Sequence, residues 1–384
     1  MPETLTEQLV SSTTGLRAAQ EELRAEVVRR HALLTEYATL KGVDALLLQR
    51  PANIAWLTCG AEVSRPGSCQ SVASVFLMKE ARCLLASNVD SPYLFDGPFN
   101  GLGFQLKERP WHEGLRTLLS DVCRGRKVAS DAPVDGVPVV DYELSAFRRQ
   151  MNEFEERHLR ELGRDLAHCI EATCRTCDQG IPESELAAQL HHRLVRRQIT
   201  PLQIRVASDG RSERYRNWTF SDAPIQRGAT VSIFARQHGL HLGVTRTFAF
   251  ESPDEETLKR HQHASLVLAS AMYFSQVGWE MRETWSRLQR IYDKFGAAEE
   301  WRLAEQGMLT GYDACECAVT PGADVRLGAG NVVCWQPSVG GAMVGDSVLV
   351  RGEGQLCLTP ASHWPTLSIE VKGTQIDVPD ILRR

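Results

Sequence analysis

The stretch Arg227–Phe250, RGATVSIFARQHGLHLGVTRTFAF, constrains the fold more than any other part of the chain. Val231 and Ile233 alternate with other residues, Gln237, His238 and Gly239 supply a turn, and a second run ends Thr245-Arg246-Thr247-Phe248-Ala249-Phe250. Alternation with period two on either side of a Gly-containing turn predicts a β-hairpin set in a sheet.

The remainder of the chain predicts a mixed α/β protein in two domains. The first fifteen residues, rich in Ser and Thr, are expected to be mobile. Leu16 to Tyr37 carries apolar residues at helical spacing with Glu and Arg between them and reads as an amphipathic helix. Strand-like runs at Ala45–Leu48, Ser71–Met78 and Arg82–Ala86, with a helix near His112–Val122, fit a small α/β domain over residues 16–150. The boundary is expected near Val140–Met151. A charged helix, Phe154–Cys174, then opens a second domain over 151–384, with further helices around Ser184–Arg197 and Thr257–Phe274.

Composition narrows the class. A chain of 384 residues, 43% hydrophobic and 24% charged, is ordinary for a globular protein with two cores. A net charge of −5 gives no electrostatic case for nucleic acid or an anionic membrane as partner. There is no apolar run of about eighteen residues, and the polar start MPETLTEQLVSSTTG lacks an apolar core, so neither a membrane span nor a signal peptide is expected. Eleven cysteines, an odd number, read as reduced thiols, which makes a cytoplasmic location the expectation.

Five segments carry a family resemblance. Gly228 and Thr245-Arg246-Thr247 resemble the strand pair of the pita-bread family, whose peptidases read G-D-x-V-x-x-D, a turn, then D-x-T-R-T. Glu153–Leu162 followed by Gln179-Gly180-Ile181-Pro182-Glu183-Ser184-Glu185-Leu186 resembles the family's helix and "P-G-x-T-E-x-E-L" turn. Leu327–Pro337 resembles "L-x-x-G-M-V-x-x-x-E-P", and Asp346–Thr359 resembles "E-D-x-V-L-V-T-x-x-G-x-x-x-L-T". Val43–Cys59 resembles a segment of the two-domain members, aminopeptidase P, prolidase and creatinase. The resemblance implies an α/β (α+β) chain, a small creatinase-like N-terminal domain followed by a pita-bread domain, and a homodimer.

It also implies a dinuclear metal centre, yet the matching positions hold none of its ligands. The second hairpin aspartate falls on Gly243; the first falls on Phe234 counted from Gly228, or on Ser232 counted back from Thr245. The substrate-contacting histidine falls on Asn217, the metal-binding histidine on Tyr312, and the two glutamates on Gln336 and Gly345, the latter beside a retained Asp346. Hard divalent ions held as a pair need anionic oxygen ligands, so neither metal nor another cofactor is expected. Creatinase, which works without metal, uses a histidine and glutamates; Asn217, Thr245 and Gln336 stand at those positions.

What replaces the acids is open on sequence alone. Loss of side chains at Gly243 and Gly345 either leaves a pocket lined by Asn217, Phe234, Tyr312, Trp335 and Gln336, or lets the site collapse. Arg246, His241 and Cys334 are the nearest anchoring or reactive groups, and His241 is the candidate acid/base because imidazole titrates near neutral pH. Cys174-x-x-Cys177 and the Cys315/Cys317 pair read more simply as packed thiols than as redox or metal sites. His191-His192, His261 and His263 read as surface-helix residues. Arg205, Arg211, Arg214 and Arg216 form a basic run read as a solvated loop, with anion binding as the sharper alternative. Three functions follow: a metal-independent protein that binds or transforms an amino-acid-like or peptide-like molecule, as a hydrolase or lyase at a C–N bond if it is active at all; an inactive relative serving protein interaction; or an Xaa-Pro aminopeptidase with a non-standard site.

Overall fold

A computed structural model describes residues 3–65, 67–68 and 70–384, with side chains described from residue 17 onward. The mobility expected of residues 1–15 therefore lies outside the described side chains. The chain divides into two compact units, Met1–Arg148 and Arg149–Arg384.

The first unit is a five-stranded mixed sheet with helices. Its long helix α1 (Glu3–Lys41) precedes β1 (Ala45–Leu48), β2 (Ala73–Met78), β3 (Ala81–Ser87), β4 (Gln105–Arg109) and β5 (Val128–Ser130). These lie in the order β4-β3-β2-β1-β5. All four residues of β1 are buried, as befits a central strand covered on both faces.

The second unit is built around the hairpin. Helix α2 (Glu153–Thr176) starts at Asn152, whose side chain accepts from the Phe154 and Glu155 amides while Glu155 reaches back to the Asn152 amide. Leu159, Leu162, Leu166 and Ile170 recur at helical spacing and are at most 1% exposed, so this stripe is the helix's inner face. Gly163 lies in the stripe because a Cβ there would stand 2.0 Å from the Leu358 carbonyl oxygen. Helix α3 (Glu183–Val195) leads into β6 (Thr200–Ser208), β7 (Gly228–Gln237) and β8 (Leu240–Ala249), which form an antiparallel sheet closed by the C-terminal strand Ile381–Arg383 parallel to β8.

The turn fixes the register of the predicted hairpin. His238 and Gly239 have φ of 50° and 75°, the two positive values of a two-residue turn whose twist suits a hairpin. Gln237 consequently pairs with Leu240, Phe234 with Gly243, and Ser232 with Thr245. Alternation then splits the sheet. Val206, Val231, Ile233, Ala235, Leu242, Val244 and Arg246 share one face, against which α2 packs; Arg205, Ala207, Thr230, Ser232, Phe234, His241, Gly243 and Thr245 share the other.

Helices α4 (Glu255–Phe274) and α5 (Met281–Lys294) precede a second sheet containing β9 (Gly307–Thr310), β10 (Val332–Trp335) and β11 (Asp346–Val350). A core of Val267, Leu268, Ala271, Trp285, Leu288, Val333 and Trp335 holds these helices on the second sheet. His261, expected on a helix surface, is instead 4% exposed, because α4 is covered by β-structure rather than by solvent. His191 and His192 are exposed, and His263 stacks on Phe295 with 3.7 Å between ring centroids.

Candidate functional site

Register decides between the two candidates for the first hairpin position. Phe234 lies directly across the ladder from Gly243, whereas Ser232 lies across from Thr245. Shortening the hairpin at its turn removes residues equally from both strands, which keeps the Phe234–Gly243 pair in step.

The space left by the glycines is filled. A Cβ added at Gly243 would stand 2.6 Å from Cys334 Sγ and 3.0 Å from both Gln336 Nε2 and Phe234 Cδ2. At Gly345 it would stand 2.8 Å from the Trp335 carbonyl oxygen, 3.1 Å from Thr245 Oγ1 and 3.2 Å from Gln336 Cγ. Close packing of this kind leaves no room for a larger side chain at these two positions without movement of the neighbours. Gly243 is further tied down by Ser347, whose hydroxyl donates to the Gly243 carbonyl at 2.8 Å and lies 3.1 Å from its amide.

Of the expected lining residues, Phe234, Gly243, Gln336 and Gly345 come together. Trp335 does not join them. Alternation along β10 places Cys334 and Gln336 on the hairpin side and turns Trp335 into the helical core, where its indole donates to Ser275 Oγ at 3.0 Å. Tyr312 is buried, with its hydroxyl 3.4 Å from Glu155 Oε1 at the start of α2. Asn217 is exposed.

The two expected chemical groups are also placed differently from a working pair. His241 stacks on Phe234 at 6.0 Å between centroids, and its ring Nδ1 donates to the Gly311 carbonyl at 2.9 Å. Burial pulls its pKa down to about 4 despite that bond, so the ring is neutral at physiological pH. Arg246 points to the other face of the sheet. It donates to Asp346 Oδ1 at 3.0 Å, to the Thr359 carbonyl at 2.8 Å and to its neighbour's carbonyl, and it lies 3.6 Å from Glu171 Oε1 of α2. Burial opposes its charge, but Asp346 and Glu171 outweigh that and hold the guanidinium above its ordinary pKa. It is a structural tie in the core.

Thiols offer no nucleophile here. Burial pushes Cys334 and Cys315 each up to about 11, and raises Cys317 as well. Cys177 is likewise raised to about 11 by burial, and Cys174 is raised too. Among the described residues, no group of three or more His, Cys, Asp or Glu is placed to hold a metal ion.

The basic run is dispersed by its partners. Arg211 binds Glu183 through two nitrogens at 2.6 and 3.1 Å, and Arg216 binds Glu300. Arg205 was read from the sequence as part of a loop. It lies instead on β6, on the same face as Ser232 and Thr245, because Ile204 and Val206 on either side of it alternate with it. Trp218 is a further residue that sequence reasoning passed over: it is 4% exposed, packed with Ala207 and Met343. A lone Trp within a polar, Arg-rich run was the available signal. One row beyond Arg205, a cavity of about 320 Å³ is lined by Ala207, Thr230, Thr247, the Gly340–Gly341 turn and His261.

The arrangement is a hairpin sheet facing a second sheet, with a core helix behind the hairpin, and it defines a pita-bread protein. Residues 157–358 match the model of metallopeptidase family M24, more than half of the chain, and the chain belongs to that family. The fold is similar to that of the prolidase from Pyrococcus horikoshii OT3, with TM-score 0.73 and 16% identity over 87% of this chain and 99% of that one. It is similar also to the X-Pro aminopeptidase from Thermotoga maritima MSB8 (TM-score 0.70, 18% identity, 86% and 97% covered) and to a His354Ala aminopeptidase P from Escherichia coli (0.67, 15%, 88% and 94%). A comparison with curated proteins found no match.

Proposed function

We propose that this family member works without a dinuclear metal centre and binds a small amino-acid-like or peptide-like molecule on the inner face of the hairpin sheet, without hydrolysing it by the family's chemistry. The observation that carries the reading is the packing at Gly243. A carboxylate there would have to displace Cys334, Gln336 and Phe234, and the facing position is a phenyl ring. The donor set around it, an amide, hydroxyls and protonated thiols, does not fit a pair of hard divalent ions, which require carboxylate bridges. His241 could act as an acid only near pH 4, far from where proton transfer at neutral pH is efficient.

Structures similar to this one include prolidases, an Xaa-Pro dipeptidase and an X-Pro aminopeptidase, which makes Xaa-Pro peptides the first ligands to examine. The test is metal content by elemental analysis of the purified chain, with Xaa-Pro hydrolysis followed before and after loading with manganese or cobalt. The expected result is substoichiometric metal and no hydrolysis in either state. Two tightly held ions per chain, or metal-dependent cleavage, would overturn the reading. Absence of any small-molecule binding would move the protein to an interaction role on the same scaffold.

A further inference from the structure

Arg205 stands out among the charged side chains of the second unit. It is half-buried, its Nε is buried without a hydrogen-bond partner, and it forms no ion pair among the described residues. Arg246 also has a buried Nε without a hydrogen-bond partner, but Arg211, Arg216 and Arg246 are each matched by a carboxylate within hydrogen-bond reach, which Arg205 is not. The charged and thiol groups whose fields reach Arg205 are Glu305 and Cys334, the latter being the thiol that occupies the space at Gly243. The guanidinium therefore lies beside the position where the resemblance puts the metal pair, on the sheet face it shares with Ser232 and Thr245.

A second buried donor lies on the same side. Trp218 Nε1 has no acceptor, and its ring packs on Ala207, two residues along β6 from Arg205 and on the same face. Buried donors without acceptors cost free energy until something supplies the acceptor. At Arg205 only the Nε is buried and orphaned, and an anion that accepts two parallel N–H bonds would satisfy it together with a terminal nitrogen.

We infer that Arg205, aided by the Trp218 indole N–H, is the anchor for a carboxylate of the bound small molecule, a fixed guanidinium supplying the positive charge that metal supplies elsewhere in the family. The planar fork of arginine selects a carboxylate, and the half-exposed Phe234 ring on the same face offers an apolar surface for the ligand's body. The inference rests on the metal-independent reading above.

The experiment uses the full chain, with thermal unfolding and calorimetric titration against Gly-Pro, Gly-Pro amide, acetate and inorganic phosphate at constant ionic strength. Gly-Pro is expected to raise the unfolding midpoint by a few degrees, with the amide and phosphate giving little or no shift. Arg205→Met is expected to weaken Gly-Pro binding about tenfold or more, and Arg205→Lys to restore it only in part, because an ammonium lacks the fork. Trp218→Phe keeps an aromatic ring against Ala207 and Met343 while removing the N–H along with part of the indole, so it tests the same anchor should the arginine variants fail to fold; several-fold weaker binding is expected. Equal response to acid and amide, an equal or larger response to phosphate, unchanged affinity in Arg205→Met or in Trp218→Phe, or no response to any carboxylate would overturn the assignment. Stabilisation by manganese with onset of Xaa-Pro cleavage would instead sink the metal-independent reading itself, so the two failures are distinguishable.

Discussion

Arg246 and Arg205 stand on opposite faces of one three-strand ladder and have been treated in opposite ways. Arg246, on the α2 side, is 1% exposed and has Asp346, Glu171 and three carbonyl oxygens within reach. Arg205, on the side facing the second sheet, is half-buried with an orphaned Nε. Strand parity alone separates them: Val206 and Arg246 share Val231 as a cross-strand neighbour row, and Arg205 and Thr245 share Ser232. Each arginine has a buried Nε without a hydrogen-bond partner, so the difference lies in the carboxylates that Arg246 has on its face and that Arg205, among the described residues, lacks on its own.

The sharpest way to break the contrast is at Arg246. Arg246→Met leaves Asp346 and Glu171 buried without their cation, and breaking one partner of such a set typically costs about 3–5 kcal/mol. Denaturant unfolding should show that loss, while ligand response per folded molecule should persist. An Arg246 variant of near-normal stability would mean the two faces are not as different as their partners make them.

The next effect is pH-dependent. His241 is neutral when folded with a pKa of about 4, against about 6.5 in the unfolded chain. Between those values the unfolded chain holds the extra proton, so stability rises with pH through the window and is lost on acidification. The full amplitude is about 3 kcal/mol, that is 1.36 kcal/mol for each pKa unit. Asp131 in the first unit works against it: burial raises that carboxyl to about 6, so its folded form holds a proton the unfolded one releases, and its contribution falls as pH rises through about 4 to 6. His241→Gln should therefore flatten the acid-side stability loss of the second unit, and stability measured from pH 4 to 7 in the two proteins checks it. A slope unchanged by His241→Gln would mean that the ring is protonated in the folded state.

How far the sequence could take one is visible in the hairpin. Its existence and its turn at His238-Gly239 were legible, since alternation and turn chemistry are local. Phe234 against Ser232 was not, because a shortened hairpin can be aligned from either end until the φ values of the turn fix the pairing. The orientation of Trp335 was missed by ignoring parity: two residues adjacent on a strand cannot both face one site. Arg205 was hidden by its neighbours in composition, a run of arginines that reads as solvated, although the Ile204-Arg205-Val206 alternation already placed it on a strand face. Whether glycine leaves a void depends on what moves in, and Cys334 filling the space at Gly243 is a tertiary fact.

Restoring an acid probes that packing. Gly243→Asp must displace Cys334 Sγ and the Phe234 ring, an overpacking that costs about 1–3 kcal/mol. Pairing it with Cys334→Ala should recover part of the loss, a coupling measurable by a double-mutant cycle because the two groups touch. Additive losses would show that the aspartate finds another way out and that the position is less filled than its contacts indicate.

The smallest effect bears most directly on the empty-handed face. Trp218→Phe keeps an aromatic ring against Ala207 and Met343 while deleting an N–H that has no acceptor in the ligand-free chain. Removing an unsatisfied buried donor should cost less than the lost packing of a Trp ordinarily would, so unfolding without ligand should change by no more than about 1 kcal/mol in either direction. The same substitution should reduce the stabilisation given by a carboxylate, since there the N–H has found its acceptor. A large loss in the free protein together with an unchanged ligand response would assign Trp218 to the core alone and overturn the shared carboxylate anchor.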